Sequence, residues 1–268
     1  MTPESAAVLS IDELVGRFGS VSLEELNAVA SLLARVDRKY VVSLDQVVDL
    51  LRTQIDSLAI LEIDGRRVSE YRSTYFDTDD LRSYRMTAHG SRMRFKIRVR
   101  EYLDDGAQYL EIKTLGRRDE TLKTRISGSD LTTTRLGPNA LSFIHETIGP
   151  AFDLSTLTPT VTTAYRRLTL LERSTSSRVT VDLNLAFGSV GGAEHHFDAV
   201  AIVETKSARG VTGVDRALWG TGLRPVRISK YGIAMALTHD ELAANKWNRV
   251  LRKHFGWNPL DRVGSRTG

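Results

Sequence analysis

Apolar and polar residues alternate with a period of two through much of the chain, and recur at helical spacing near its two ends. The clearest alternation is SRMRFKIRVREYL (residues 91–103), where Arg92, Arg94, Lys96, Arg98 and Arg100 interleave with Met93, Phe95, Ile97 and Val99. Strand side chains point alternately to opposite faces, so this stretch predicts a ribbon with one apolar face and one face of like charges ~6.6 Å apart. The same reading predicts further strands at 71–77, 107–114, 121–127, 161–172, 177–187, 195–205 and 224–228. Gly- and Asp-rich connections such as DDGA, LGRRDE, SGSD and SVGGAE suit hairpins.

Helical spacing predicts helices in SIDELVGRF, with Ser10 as cap, and in SLEELNAVASLLA, where Ser22 and Glu25 form a capping-box pattern. SLDQVVDLLRTQI repeats the device with Ser43 and Gln46 and puts Leu44, Val47, Val48 and Leu51 on one face. A helix over 138–148 with Pro138 in its first turn, one over 213–220 and one over roughly 230–255 complete the set.

Every strong strand pattern carries ions opposite its apolar positions. Glu111 and Lys113 alternate with Leu110 and Ile112; Arg167 with Leu168; Arg178 and Asp182 with Val179, Val181 and Leu183; Glu204 and Lys206 with Ala201 and Val203. If helices cover the apolar faces, the ionic faces meet either water or a shared interior. An antiparallel sheet of about eight strands can close on itself and remove its edges. The expected fold is therefore α+β: a closed eight-stranded antiparallel tunnel with a basic lumen and flanking helices. A lumen lined by cations calls for a polyanion.

Composition narrows this picture. The chain has 268 residues and a formal net charge of +4, a mild tilt toward anionic partners. It has no cysteine, which excludes disulfides, thiolate metal sites and cysteine nucleophiles. No apolar run reaches the ~18–20 residues of a membrane span, and the first residues lack the plan of a signal peptide, so a cytoplasmic protein is expected. His195–His196 reads as part of a surface hairpin, and GSVGG lacks the lysine and spacing of a P-loop. The basic, aromatic stretch NKWNRVLRKHFGW reads as a helix packing Trp247, Leu251 and Phe255 inward, rather than as a membrane or nucleic-acid contact.

Two segments echo each other: LEIKTLGR (110–117) and VETKSARG (203–210) each set a glutamate two residues before a lysine. A carboxylate among cations suits a hard divalent ion that bridges phosphates, so Glu204 and Glu111 are candidate ligands for Mn2+ or Mg2+.

The ordered set RKYVV (38–42), STYFDT (73–78), RFKIRVREY (94–102), YLEIKT (109–114), AYRRLTL (164–170), RVTVD (178–182), VETK (203–206) and ISKYG (228–232) resembles the vacuolar transporter chaperone (VTC) domain of the triphosphate tunnel metalloenzymes. The resemblance runs from about residue 35 to 250. It implies an eight-stranded tunnel holding polyphosphate, with ATP and inorganic polyphosphate as partners and no nucleic acid. It also implies transfer of the γ-phosphate to a growing chain with Mn2+ or a similar ion. Matched by motif, Lys39, Arg98, Arg100, Lys113, Arg167 and Lys230 would be the catalytic cations and Glu204 the metal-binding glutamate. Arg94, Lys96, Arg178 and Lys206, on the polar faces, would add phosphate contacts.

One departure matters. The wider superfamily opens with Glu-x-Glu-x-Lys, whereas this chain has Arg35-x-Asp37-x-Lys39 and so lacks one carboxylate. The expected organisation is a helical segment at 1–34, the tunnel domain at 35–250 and a basic tail at 251–268. A polymerase, a triphosphatase with water as acceptor, and a non-catalytic polyanion binder all fit these residues. The excess of Arg92, Arg94 and Lys96 beyond the Arg98–Arg100 pair points to a long polymer.

Overall fold

Where the period-two alternation carries through, the computed structural model has strands. The structure describes residues 11–30, 36–116, 120–128, 131–150, 152–208 and 210–258. Ser10, residues 31–34, Arg35 and residues 259–268 lie outside them. The strands are β1 (Gly19–Val21), β2 (Val36–Ser43), β3 (Leu58–Leu61), β4 (Val68–Asp77), β5 (Phe95–Tyr102), β6 (Gln108–Leu115), β7 (Thr121–Ile126), β8 (Thr158–Glu172), β9 (Ser177–Ser189), β10 (Glu194–Phe197) and β11 (Val200–Ser207). The helices are α1 (11–17), α2 (Leu23–Val29), α3 (Leu44–Thr53), α4 (Arg82–Ala88), α5 (Pro138–Ile148), α6 (Gly213–Gly220), α7 (Lys230–Thr238) and α8 (Asn248–His254).

The fold is α+β with one large sheet in the order β2-β11-β9-β8-β4-β5-β6-β7; β3 joins β8, and β1 and β10 add to β3 and β9. The β2–β11, β11–β9, β3–β8, β4–β5, β5–β6 and β6–β7 ladders are antiparallel, and β1 runs parallel to β3. No hydrogen-bonded ladder closes this path among the described residues, so the closure expected of a barrel is not observed. Alternation along a strand says which face each side chain takes. Closure depends on tilt and stagger across many strands, which the alternation does not encode.

Two compact units make up the chain. The first comprises Met1–Glu70, Tyr165–Leu185 and Phe197–Arg227; the second comprises Tyr71–Ala164, Ala186–His196 and Ile228–Gly268. In the first, α3 and α6 cover the apolar face: Tyr40, Val42, Leu170, Val181 and Val203 pack with Val47, Leu51, Val214 and Leu218. Ser43 and Gln46 form both halves of the expected capping box at the start of α3.

In the second unit, α5 covers the sheet, its Ala140 and Ile144 packing on Phe95, Ile97, Val99, Leu110 and Ile112. Pro138 opens α5, as the sequence predicts. Between α7 and the C-terminal segment the approach is close: a Cβ on Gly232 would lie 2.5 Å from the Trp247 ring. The packing of Trp247, Leu251 and Phe255 inward is also as expected.

Several expectations need correction. The strand predicted from residue 91 begins at Phe95, because Gly90 (φ 72) and the turn at 92–93 break the alternation, leaving Met93 exposed. A turn at 198–199 splits the predicted 195–205 strand into β10 and β11. The stretch 224–228 is irregular, although the Val226 amide donates to the Lys39 carbonyl (2.7 Å). The long C-terminal helix divides into α7 and α8.

Candidate functional site

The register of the second unit's ladders assembles its charges into rows. Lys96 lies opposite Lys113, which lies opposite Lys123; Arg98 lies opposite Glu111, which lies opposite Arg125; Arg100 lies opposite Tyr109. Directly paired residues share a face, so β5, β6 and β7 present six cations and one carboxylate on the side away from α5. Arg98 and Arg100 are only 8% and 6% exposed, so this face is not an ordinary solvated one.

Tyrosines frame the cations. Tyr75 and Ser73 of β4 lie opposite Arg98 and Arg100. Arg98 donates to the Tyr75 hydroxyl (2.9 Å), and Arg100 to Ser73 Oγ (3.4 Å). The guanidiniums of Arg98, Arg100 and Arg125 stand over the rings of Tyr75, Tyr71 and Tyr109 at 5.7, 5.1 and 4.8 Å. Ring contacts and these fork-shaped donors hold the arginine planes in place.

Glu111 is the hub. Its carboxylate is fully buried; Oε2 accepts from Arg98 Nε (2.9 Å) and Nη2 (2.5 Å) and lies 4.0 Å from Arg100, while Oε1 meets Lys123. Burial pushes its carboxyl upward, but Arg98, Arg100 and Lys123 together outweigh this and hold it well below the usual range. Burial pulls the Lys123 ammonium down to about 8 and the two arginines repel it further, against the opposing pull of Glu111.

The first unit's polar face is differently composed. Register puts Glu204 between Lys39 and Thr180, and Lys206 between Asp37 and Arg178. Glu204 Oε1 accepts from Lys39 Nζ (2.7 Å) and Oε2 lies 3.3 Å from Lys206 Nζ. Arg167 donates to both oxygens of Asp182 (2.6 and 2.9 Å). On β2, β11 and β9 this face carries three cations, Lys39, Lys206 and Arg178, and three carboxylates, Asp37, Glu204 and Asp182.

Of the residues singled out from the sequence, Lys96, Arg98, Arg100, Glu111 and Lys113 fall together on the second unit's polar face. Lys39, Arg178, Glu204 and Lys206 fall together on the first unit's, with Arg167 tied in through Asp182. Arg94 lies before β5, its guanidinium donating to the Ser91 carbonyl (2.8 Å). Lys230 is the first residue of α7, beside Tyr231, whose hydroxyl bonds Asp77. Sequence reasoning passed over Lys123 and Arg125, although TLKTRI carries the same alternation that marked β5.

Among the described residues no group of three or more histidines and carboxylates is arranged to hold a metal ion. Magnesium-like ions are commonly held by one or two carboxylates together with substrate phosphates. Glu204 fits such a role, since its side chain is 12% exposed and its partners are flexible lysines. Glu111 fits poorly: its fully buried carboxylate is enclosed by three cations.

The VTC domain family model matches residues 34–239 of this chain. No curated protein matches it in sequence. Solved structures similar to it include HpAC1 from Hippeastrum, for which a dominant triphosphatase activity is described, at 15% identity, covering 80% of this chain and 100% of that one, with a TM-score of 0.45. The PH1012 protein from Pyrococcus horikoshii OT3 is 12% identical over 70% of this chain and 88% of that one, with a TM-score of 0.37. The RNA triphosphatase Pct1 from S. pombe is 10% identical over 83% and 85%, with a TM-score of 0.28. No helix among the described residues is long and apolar enough to cross a membrane.

Proposed function

This chain belongs to the VTC domain family, and on that premise we propose that it is a polyphosphate polymerase, moving the γ-phosphate of ATP onto inorganic polyphosphate. The observation that carries this reading is the second unit's polar face, with six cations on three adjacent strands around one buried glutamate. Phosphoryl transfer needs phosphates held in line and their charge neutralised, with little covalent chemistry from the protein.

Arg98, Arg100 and Lys113 are assigned to the transferring and acceptor phosphates. The arginines offer planar forks and the lysine a compact charge. Lys96, Lys123 and Arg125 extend the row, and Glu111 fixes the arginines rather than binding a metal. Lys39, Arg167, Arg178 and Lys206 on the first unit's polar face, and Lys230, are assigned further phosphate contacts. Glu204 is the carboxylate that would hold Mn2+ or Mg2+, which when bound supplies charge neutralisation to phosphate oxygens. A terminal oxygen of the polymer attacks the γ-phosphorus, the bond to the β-phosphate oxygen breaks, and ADP leaves; no protein nucleophile is needed.

A second reading, triphosphate hydrolysis with water as acceptor, gains from one correction. Arg92 and Arg94 lie outside β5, so the charged row along that strand shortens to Lys96, Arg98 and Arg100. Incubation with ATP and Mn2+, followed by gel separation of long polyphosphate from free phosphate, decides between them. Long chains are expected; free phosphate alone would favour the hydrolase.

A further inference from the structure

On the apolar side of the first unit's sheet sits a fully buried carboxylate for which the phosphoryl-transfer chemistry has no use. Asp215, in the first turn of α6, accepts at Oδ1 from the Tyr40 hydroxyl (2.7 Å) and Thr205 Oγ1 (2.8 Å). At Oδ2 it accepts from Arg38 Nη1 (3.2 Å) and the Thr212 amide (2.9 Å). The Thr212 amide bond, with the reciprocal bond from the Asp215 amide to Thr212 Oγ1, is an ordinary capping box and would suffice for the helix. The other three donors come from β2 and β11.

Their positions in those strands are informative. Arg38 and Tyr40 flank Lys39 on β2, and Thr205 is the neighbour of Glu204 on β11. The ladder pairs Thr205 with Arg38, Glu204 with Lys39 and Val203 with Tyr40. Asp215 therefore grips both strands at the one place where, on the opposite face, Lys39 meets Glu204. Trp219, one turn along α6, adds a bond from its indole to the Tyr40 hydroxyl (2.9 Å). A one-residue slip between the strands would turn the pair to the wrong face, and a small shift would separate it.

We propose that Asp215 is a positioning residue: from behind the sheet it locks β2 to β11 so that Lys39 stands against Glu204. This rests on the phosphoryl-transfer reading for its consequence, but the lock itself can be read separately. Three variants are compared. Asp215→Asn keeps the shape and removes the charge. Thr205→Val removes a single bond from a buried site at nearly equal volume. Val214→Ala cuts the core beside Asp215 on the same helix without touching the lock.

Turnover of ATP with Mn2+ is measured well below each melting temperature, together with tripolyphosphate affinity and the NMR signal of the Lys39 ε-methylene, assigned by its loss in Lys39→Arg. The expected result is a roughly 10–100-fold lower kcat for Asp215→Asn, the range seen when groups orienting a site are removed, and a smaller loss for Thr205→Val. Both should move the Lys39 signal and leave tripolyphosphate affinity within about twofold. Val214→Ala should lower the melting temperature and change neither kcat nor the signal. An unmoved Lys39 signal in Asp215→Asn and Thr205→Val, or equal effects in Val214→Ala, overturns the lock. Absence of turnover in the unmodified protein overturns the functional reading alone, because the Lys39 signal still tests the lock.

Discussion

The two units build their polar faces from the same strand geometry and arrive at different electrostatics. On β2, β11 and β9 of the first, carboxylates and cations are equal in number, with Arg167 of β8 as a fourth cation, and Glu204 and Asp182 are each met by basic partners a few ångströms away. On the second, one buried glutamate, partnered by Arg98, Arg100 and Lys123, stands among six cations. A balanced face has little net field and is stabilised internally. A face with a large excess of one sign stores repulsion that an added anion relieves. Under the proposed function, phosphate is held chiefly by the second unit, while the first offers in Glu204 the more accessible carboxylate.

Removing the hub should have the largest effect. Glu111→Gln leaves Arg98, Arg100 and Lys123 without their shared counter-charge and is expected to cost about 3–5 kcal/mol. Urea denaturation would measure this, and added phosphate should restore part of the loss. A cost below about 1 kcal/mol would mean that the cations do not depend on Glu111. Glu204→Gln on the balanced face should cost about 1 kcal/mol or less. It should nevertheless abolish turnover at saturating Mn2+ while sparing tripolyphosphate binding.

The arginines come next. Arg98→Met and Arg100→Met should each weaken tripolyphosphate binding roughly tenfold or more, the scale of a lost hydrogen bond to a charged group. Arg178→Met on the balanced face should change it less than about threefold. Calorimetric titration would test the contrast, and equal losses on both faces would remove it.

A smaller effect follows from Lys123. With its ammonium held down to about 8, it carries charge below that pH and loses it above. Tripolyphosphate affinity should therefore fall as pH rises through about 8, and Lys123→Arg should abolish the inflection. The linked stability has the opposite sign. The unfolded lysine keeps its proton to its ordinary value of about 10.5, so this group makes the fold more stable as pH rises from about 8 toward that value.

The smallest expected effect is that of Arg92→Ser with Arg94→Ser. Both residues precede β5, so tripolyphosphate affinity should change less than about twofold. A larger loss would extend the anion site into the turn.

Strand faces were legible wherever alternation ran unbroken, as from Phe95 to Arg100, because one set of side chains had to be buried. The ends of elements were not. The signal for stopping at Arg94 was only Gly90, and arginine alternation continued through the turn. Helix α4 was missed because its first amides at Ser83 and Tyr84 are capped by Asp77, from the end of β4, and its own N-cap is Leu81 with φ 54. The lysine row Lys96–Lys113–Lys123 joins three separate strands. Each strand was foreseen, but only the register shows that their charges align.

Among the described residues strand β7 stands last in the sheet order, and Thr121–Arg125 are exposed along it, although the Lys123 ammonium turns in onto the buried Glu111. A strand at the end of a sheet is a template on which other chains can assemble, and charged side chains are a common deterrent. Lys123 and Arg125 are two such side chains on this edge. A polyanion that neutralises these two side chains is therefore expected to lower the protein's solubility.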